Sequence, residues 1–219
     1  MGGYDPYSSS KGCAELVASA YRRSFLQEQG VGLASVRAGN VIGGGDWAND
    51  RLIPDILRSF ENDRPVIIRN PKATRPWQHV LEPLSGYLVL AEKLYKNQKK
   101  YAEDWNFGPD EKDVKPVDWI LDSMIENWPG SSWELDQHPS PHEASLLKLD
   151  ISKAESGLNW KPIWKLSYTL KKIITWHKAW INKENMQDVC FIEIEEYMKD
   201  MMLRNNKVIK LRNNKVIKL

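Results

Sequence analysis

The sequence has few cysteines and no long apolar run, and each absence excludes a class of protein. Its two cysteines, Cys13 and Cys190, lie far apart and belong to no CxxC or Cys/His cluster. This argues against a zinc site and fits a reducing compartment. We expect both thiols to be buried as small hydrophobic groups. No apolar run reaches the roughly 18 residues of a membrane span, and no secretory pattern opens the sequence, so a cytoplasmic location is expected.

An excess of charge of one sign is also lacking. The 31 Lys and Arg residues nearly balance the 29 Asp and Glu residues, which leaves a formal net charge of +2. A strongly basic surface of the kind that binds nucleic acid is therefore not expected. The length of 219 residues and the 42% hydrophobic content suit a folded protein of one or two domains.

A third absence is the glycine-rich turn that holds the pyrophosphate of a dinucleotide. No G-x-G-x-x-G is present. Gly30 and Gly32 have no third glycine at the required spacing, and the run 43–45 leads into Trp47 and a polar stretch instead of a helix. The sequence therefore shows no dinucleotide-binding turn of its own.

Helical and strand patterns alternate along the chain, which predicts an α/β fold. Apolar residues recur at helical spacing from Ser9 to Gln29, where Gly30 supplies a stop. A short buried strand is predicted from Leu33 to Val36. Further helices are predicted at 54–62, 83–96, 117–128, 152–157 and 170–181, and further strands at 66–69, 105–107 and 147–149.

Tyr7 and Lys11 lie four residues apart at the start of the first predicted helix. This spacing places a phenol and an ammonium group on one helix face. A nearby cation favours the phenolate, so Lys11 is expected to lower the pKa of Tyr7 and make it a proton acceptor. Such a pair suits oxidoreduction at an alcohol carbon. An ordinary exposed Tyr/Lys pair can have the same spacing, so spacing alone does not distinguish a catalytic pair from an exposed one.

Longer motifs surround this pair and carry a family resemblance. They are GGYDPYSSSKGCAE at 2–15, RAGNVIGGGDW at 37–47, RNP at 69–71, RPWQHVLEPLSGY at 75–87 and LNWKP at 158–162. In this order and at these separations they resemble the extended short-chain dehydrogenase/reductase family, and within it the nucleotide-sugar dehydratases that act on CDP-glucose. The resemblance runs from the first residues to about Trp180.

The resemblance implies the C-terminal part of a Rossmann-type α/β fold with a smaller, mostly helical substrate domain. Residues 1–110 are expected to form the remainder of the NAD-binding domain with interleaved substrate-domain segments. Residues 111–182 are expected to form the smaller lobe, and 183–219 a tail. NAD is implied as the cofactor, while the family's dinucleotide-binding turn and its further acid/base residues lie upstream of the matching region. Family members also suggest a homodimer through the helix that carries Tyr7 and Lys11.

The resemblance implies catalytic roles for Tyr7 and Lys11, with Lys11 also holding the nicotinamide ribose. It places Arg75 at the substrate diphosphate or a neighbouring sugar, a contact that suits a planar guanidinium. Asn40 is a second candidate for binding the phosphates, although a purely structural role in a turn explains this residue almost as well. Arg51 and Asn106 are weaker substrate-binding candidates.

Other polar and aromatic residues are assigned no chemistry. Asp46 and Trp47 are expected to shape the pocket wall. His79, between aromatic and aliphatic neighbours, is expected to be a packed residue and not a base. His138 and His142 have no spacing suited to a metal ion.

The implied reaction is the dehydration of CDP-glucose to CDP-4-keto-6-deoxyglucose. Hydride passes from C4 to NAD, water is lost across C5 and C6, and hydride returns to C6. Three alternatives stay open: an epimerase of the same family, because the Tyr/Lys pair serves both reactions; a fragment that binds nucleotide sugars without catalysis; and a non-functional remnant.

The end of the sequence contains a direct repeat. Residues 203–210 recur at once as 211–218. Two eight-residue copies are too few and too short for a solenoid. We expect this segment to be loosely helical and without function.

Overall fold

The computed structural model describes residues 5–138 and 147–216. Two compact units interleave along the chain. The first contains residues 1–38, 83–108 and 149–161, and the second contains residues 39–82, 109–148 and 162–219. The division predicted from the sequence, with limits at 110 and 182, follows the chain in order and stays a prediction.

Seven α-helices and eight short strands can be assigned within the described residues. The helices are α1 (Pro6–Tyr21), α2 (Leu52–Glu61), α3 (Leu81–Lys96), α4 (Gln98–Tyr101), α5 (Val117–Glu126), α6 (Leu166–Ile181) and α7 (Met186–Val216). The strands are β1 (Ser35–Ala38), β2 (Asn40–Ile42), β3 (Val66–Ile68), β4 (Thr74–Arg75), β5 (Trp77–His79), β6 (Asp104–Phe107), β7 (Lys115–Pro116) and β8 (Trp133–Leu135). No helix among these described residues is long and apolar enough to cross a membrane.

The first unit is built on the parallel pair β1–β6, with Val36 opposite Trp105. Phe107 is fully buried and packs with Trp160 at 5.0 Å between ring centroids. A Cβ on Gly86 of α3 would lie 2.3 Å from the Phe107 ring, so only glycine lets this helix approach so closely.

Helix α1 begins at Pro6, earlier than predicted, because Asp5 caps it. The Asp5 carboxylate accepts from the Ser8 amide at 2.9 Å, and proline suits the first turn of a helix. A π-helical turn, Arg22–Leu26, extends the helix, and Gly30 follows with a φ of 68°. The predicted helix and its stop are confirmed.

The second unit holds two parallel strand pairs, β2–β5 and β3–β8, and one antiparallel pair, β4–β7. Helices α2, α5 and α6 bury their apolar faces in one core, where Ile56, Ile120 and Leu170 are fully buried. This burial explains why the 3.6-residue apolar period predicted these helices.

Two predictions of local structure are wrong: the burial of the two cysteines and the strand at 147–149. Cys13 and Cys190 are exposed, because no residue of α1 is buried and Cys190 lies on an open part of α7. Residues 147–149 form no strand, and Leu147 donates only one backbone bond, to Thr74. The short helix predicted at 152–157 is confirmed, and the Asp150 carboxylate accepts from the Ser152 amide at its start at 2.8 Å.

One long helix forms the end of the described chain. Helix α7 runs without interruption from Met186 to Val216. Its first half is packed, since Tyr197 is only 4% exposed. The expectation of a loosely helical segment concerns residues 203–218 and stays a prediction; residues 203–216 belong to this helix, and residues 217–219 lie outside the described range.

Candidate functional site

Tyr7 and Lys11 face the same side of α1, as their spacing predicts. The Lys11 Nζ atom lies 5.3 Å from the centroid of the Tyr7 ring. The phenol is 71% exposed, so a substrate hydroxyl can reach it. The other residues at the start of the motif, 2–4, lie outside the described range. An ammonium group at this distance makes a cation–π contact with the ring.

Arg37 joins α1 to the β1–β6 pair through a network that sequence analysis missed. Its guanidinium donates to Glu15 at 2.8 Å, to Asn106 at 3.1 Å and to Asp104 at 3.1 Å. The Arg37 bond is the main reason that the pKa of Glu15 lies below its usual value. The network fixes the helix that carries Tyr7 relative to the strands of its own unit.

The Asn106 side chain, predicted to bind substrate, has protein partners at both ends. Its carbonyl oxygen accepts from Arg37, and its amide donates to the backbone carbonyl of Asp150 at 3.0 Å. These bonds give it a structural role on β6. Asn106 also lies near the carboxyl end of the parallel strand β6. Ligands bind at such strand ends in open α/β sheets.

Asn40 and Arg75, in the second unit, lie on adjacent stretches of chain. The backbone amide of Asn40 donates to the backbone carbonyl of Pro76 at 2.8 Å. A Cβ on Gly39 would lie 2.3 Å from that carbonyl oxygen, so glycine is required for this approach. Asn40 is half-buried at the start of β2. The backbone of Asn40 thus lies beside Pro76, the residue after Arg75, and the phosphate-binding role of Asn40 and Arg75 stays a prediction.

Arg75 is largely buried, with 9% of its surface exposed. It lies on β4 opposite Lys115, and its Nη1 donates to the Thr74 carbonyl at 3.0 Å. Two cationic side chains therefore occupy neighbouring positions on β4 and β7. A site of this kind suits an anionic ligand such as a diphosphate.

The glycine-rich loop before α2 packs against α6. A Cβ on Gly44 would lie 2.2 Å from the Trp176 ring. The Trp47 ring lies 4.5 Å from that of Trp180 between centroids, while Asp46 accepts from the Ala48 amide at 3.0 Å. Arg51 precedes α2 and is exposed. The aromatic packing gives this loop a rigid support.

His79 is a packed residue, as predicted. It is fully buried, its ring lies 4.9 Å from Trp164 between centroids, and its Nδ1 accepts from the Leu81 amide at 3.3 Å. In the described ranges, 5–138 and 147–216, no group of His, Cys, Asp and Glu could hold a metal ion. His142 lies outside those ranges.

Glu82 is a fully buried carboxylate that sequence analysis did not single out. It accepts from the Ile163 and Trp164 amides at 2.9 and 2.6 Å and from the Tyr197 hydroxyl at 2.8 Å. Burial is the largest influence on this group and raises its pKa, although the three donors act in the opposite direction. No signal in the sequence identifies it, because its partners lie more than 80 residues away.

Comparison with known proteins finds a family match in the first half of the chain. Residues 4–108 match the NAD dependent epimerase/dehydratase family. This range contains all the predicted site residues, and the family resemblance seen in the motifs is confirmed.

One relative matches at high identity. The chain is 62% identical over 204 residues to the CDP-glucose 4,6-dehydratase of Salmonella typhimurium, an alignment that covers 90% of this chain and 57% of the relative. The chain therefore spans little more than half the length of that enzyme.

Solved structures share the fold. The dTDP-glucose 4,6-dehydratase of Bacillus anthracis, in complex with NAD, has a TM-score of 0.64 and 19% identity, covering 82% of this chain and 54% of that one. The UDP-glucuronic acid 4-epimerase of Bacillus cereus, in complex with UDP-glucuronic acid and NAD, has a TM-score of 0.65 and 23% identity, covering 80% and 53%. The predicted Rossmann-type α/β fold class is confirmed.

Proposed function

We propose that this chain supplies the proton acceptor and part of the sugar-nucleotide site of an NAD-dependent CDP-glucose 4,6-dehydratase. The observation that carries the proposal is the 62% identity to the Salmonella enzyme. The Tyr7/Lys11 geometry on α1 supports it, because a dehydratase of this kind needs a base at the C4 hydroxyl.

In the proposed reaction, the Tyr7 phenolate accepts the proton of the C4 hydroxyl. Lys11 stabilises that phenolate and donates to the nicotinamide ribose. An exposed phenol and ammonium on one helix face offer hydrogen-bonding groups that suit ribose hydroxyls. When bound, NAD supplies the hydride acceptor for C4 and the hydride returned to C6. The groups that remove the C5 proton and protonate the C6 hydroxyl belong to the part of the relative that this chain does not span.

Arg75, with Asn40, is proposed to hold the diphosphate of CDP-glucose, and Arg51 and Asn106 are proposed as additional substrate contacts. Arg75 is the strongest candidate of the four, because a largely buried guanidinium binds an anion in a medium of low dielectric constant.

We also propose a cytoplasmic enzyme that forms a homodimer through α1, whose Leu16 and Val17 are half-exposed.

A second candidate is a 4-epimerase. The structural neighbours at similar TM-scores include epimerases as well as a dehydratase, and the Tyr/Lys pair serves both reactions. The two differ in product mass, since epimerisation keeps the mass of the sugar nucleotide and dehydration lowers it by one water. A fragment that only binds nucleotide sugars is the third reading.

Replacing Arg75 by alanine tests the binding part of the proposal. CDP-glucose is expected to bind the unaltered chain saturably, and Arg75→Ala is expected to weaken binding by about 10- to 100-fold, because a charge-assisted contact of roughly 1.5–3 kcal/mol is lost. Titration calorimetry measures the change. Arg64→Ala, at an exposed arginine of the same unit, is the matched control and is expected to bind normally. Equal affinity in Arg75→Ala would remove Arg75 from the site, and no binding by the unaltered chain would contradict the proposal.

A further inference from the structure

Helix α1 is attached to its unit mainly by polar contacts. None of its residues, all of which the structure describes, is buried. Apolar burial, the usual anchor of a surface helix, therefore holds it weakly. Glu15, in the middle of the helix, supplies a polar anchor: its carboxylate accepts from the Ser35 hydroxyl at 2.6 Å and from the Arg37 guanidinium at 2.8 Å. Both partners belong to β1, so these two bonds attach α1 to the strand.

Arg37 makes three hydrogen bonds at once. Its Nε donates to Glu15, its Nη1 to Asn106 at 3.1 Å and its Nη2 to Asp104 at 3.1 Å. Because a guanidinium is planar, the two bonds to β6 fix the direction in which Nε points at Glu15. The Arg37 and Glu15 side chains are 39% and 31% exposed, a setting in which an isolated ion pair contributes little. A carboxylate held by a guanidinium that has two further partners is a stronger anchor than such a pair.

The direction in which α1 crosses β1 follows from two contacts. Arg22, just after α1, donates to the Leu33 carbonyl before the strand begins, whereas Glu15 meets the strand itself. The helix therefore runs antiparallel to β1. Tyr7 precedes Glu15 by eight residues, about 12 Å of helix, and β1 ends one residue after Arg37. Tyr7 thus lies beyond the carboxyl end of this strand, at the edge where open α/β sheets bind ligands.

Tyr7, Lys11 and Glu15 share one face of α1. Successive members of this set lie four residues apart, so at about 100° per residue the three fall within roughly 80° of one another. A shift or rotation of the helix that frees Glu15 would therefore move the phenol and the ammonium group as well. A displacement of about 1 Å is enough to lower the rate of a well-oriented reaction by roughly 10²-fold.

We propose that Arg37 is a positioning residue that acts through Glu15. It holds α1 on the β1–β6 pair, so that Tyr7 and Lys11 stay at the carboxyl edge of the strands. The consequence for catalysis rests on the function proposed above for Tyr7 and Lys11, whereas the attachment of α1 does not.

Hydrogen exchange in the full chain tests the attachment without any reaction. Arg37→Ala is expected to speed exchange of the α1 amides by about 10- to 100-fold, because charge-assisted hydrogen bonds are lost, while the amides of β1 and β6 stay within about threefold of their rates. Arg23→Ala is the matched control. Arg23 is exposed just after the same helix and donates to the Ser19 carbonyl of that helix at 3.4 Å, so α1 is expected to exchange normally in this variant.

Two exchange results would overturn the proposal. Unchanged exchange of α1 in Arg37→Ala would show that Arg37 does not hold the helix. Equal acceleration in α1, β1 and β6 would show a general loss of stability in place of a local attachment.

Steady-state kinetics test the consequence for catalysis. In the chain complemented with the part of the Salmonella relative that it does not span, Arg37→Ala is expected to lower kcat for CDP-glucose dehydration by about 10- to 100-fold and to change KM by less than about threefold. An unchanged kcat would overturn the positioning role, and a raised KM beside it would assign Arg37 to substrate binding. An unaltered chain that forms no product would refute the proposed dehydratase function, while the exchange measurement would still decide whether Arg37 holds α1.

A double-mutant cycle tests whether Arg37 acts through Glu15. If it does, Arg37→Ala and Glu15→Ala each lower kcat, and the double variant stays within about twofold of the slower single variant. Effects that multiply would show that Arg37 acts by another route, such as the Asn106 amide, and would overturn the proposal.

Discussion

Replacing Tyr7 by phenylalanine is expected to lower the rate of CDP-glucose dehydration by about 10²- to 10⁴-fold, the usual contribution of a positioned acid or base. The change removes only the phenol oxygen that we propose as the acceptor of the C4 proton. The rate is measured on this chain complemented, by fusion or in trans, with the part of the Salmonella relative that it does not span. CDP-glucose binding should stay near normal, because the diphosphate contacts proposed for Arg75 and Asn40 are intact.

A matched control lies on the same helix. Tyr21 is 55% exposed and forms part of α1, so Tyr21→Phe removes an equivalent hydroxyl away from Lys11. It is expected to retain full activity. If Tyr7→Phe turned over CDP-glucose as fast as Tyr21→Phe, Tyr7 would not be the proton acceptor.

Replacing Glu82 by alanine is expected to lower the free energy of unfolding by about 3–5 kcal/mol. Three buried donors, the amides of Ile163 and Trp164 and the hydroxyl of Tyr197, would lose their acceptor. For a chain of this size the loss corresponds to a fall of roughly 10 °C in Tm. Glu92→Ala, at an exposed position of the same helix, is the control and should cost at most about 0.5 kcal/mol. A Glu82→Ala variant that melts with the unaltered protein would show that these bonds contribute little.

The pH dependence of stability gives a second readout for Glu82. Because burial raises the pKa of Glu82 in the folded state above its unfolded value, its stabilising contribution is complete below the unfolded pKa and declines as pH rises through the folded pKa. Glu82→Gln keeps a carbonyl acceptor and cannot ionise. Denaturant unfolding is expected to show the decline in stability with rising pH in the unaltered protein. The Glu82→Gln variant should lack this decline.

Local patterns predicted much of the fold. The amphipathic period of α3 and the stop at Gly30 depend on nearby residues, and both were located to within a few positions. The Tyr7/Lys11 geometry also follows from local spacing, since helical residues four apart share a face whatever the rest of the chain does.

Distant contacts account for what the sequence did not reveal. Arg37 meets Asn106 across 69 positions and Tyr197 meets Glu82 across 115, and no periodic pattern records such pairs. The burial of Cys13 was wrongly predicted, because an apolar period on α1 indicates a face that needs a partner and not which molecule provides it. The prediction of a strand at 147–149 was wrong because a short apolar run is a weak signal on its own.

The mass of the product formed from CDP-glucose and NAD tests the central claim most directly. With the complemented chain, mass spectrometry is expected to show a nucleotide sugar lighter by one water, and Tyr7→Phe should abolish it. A converted sugar of unchanged mass would indicate an epimerase, and an unconverted substrate would contradict the proposed dehydratase activity.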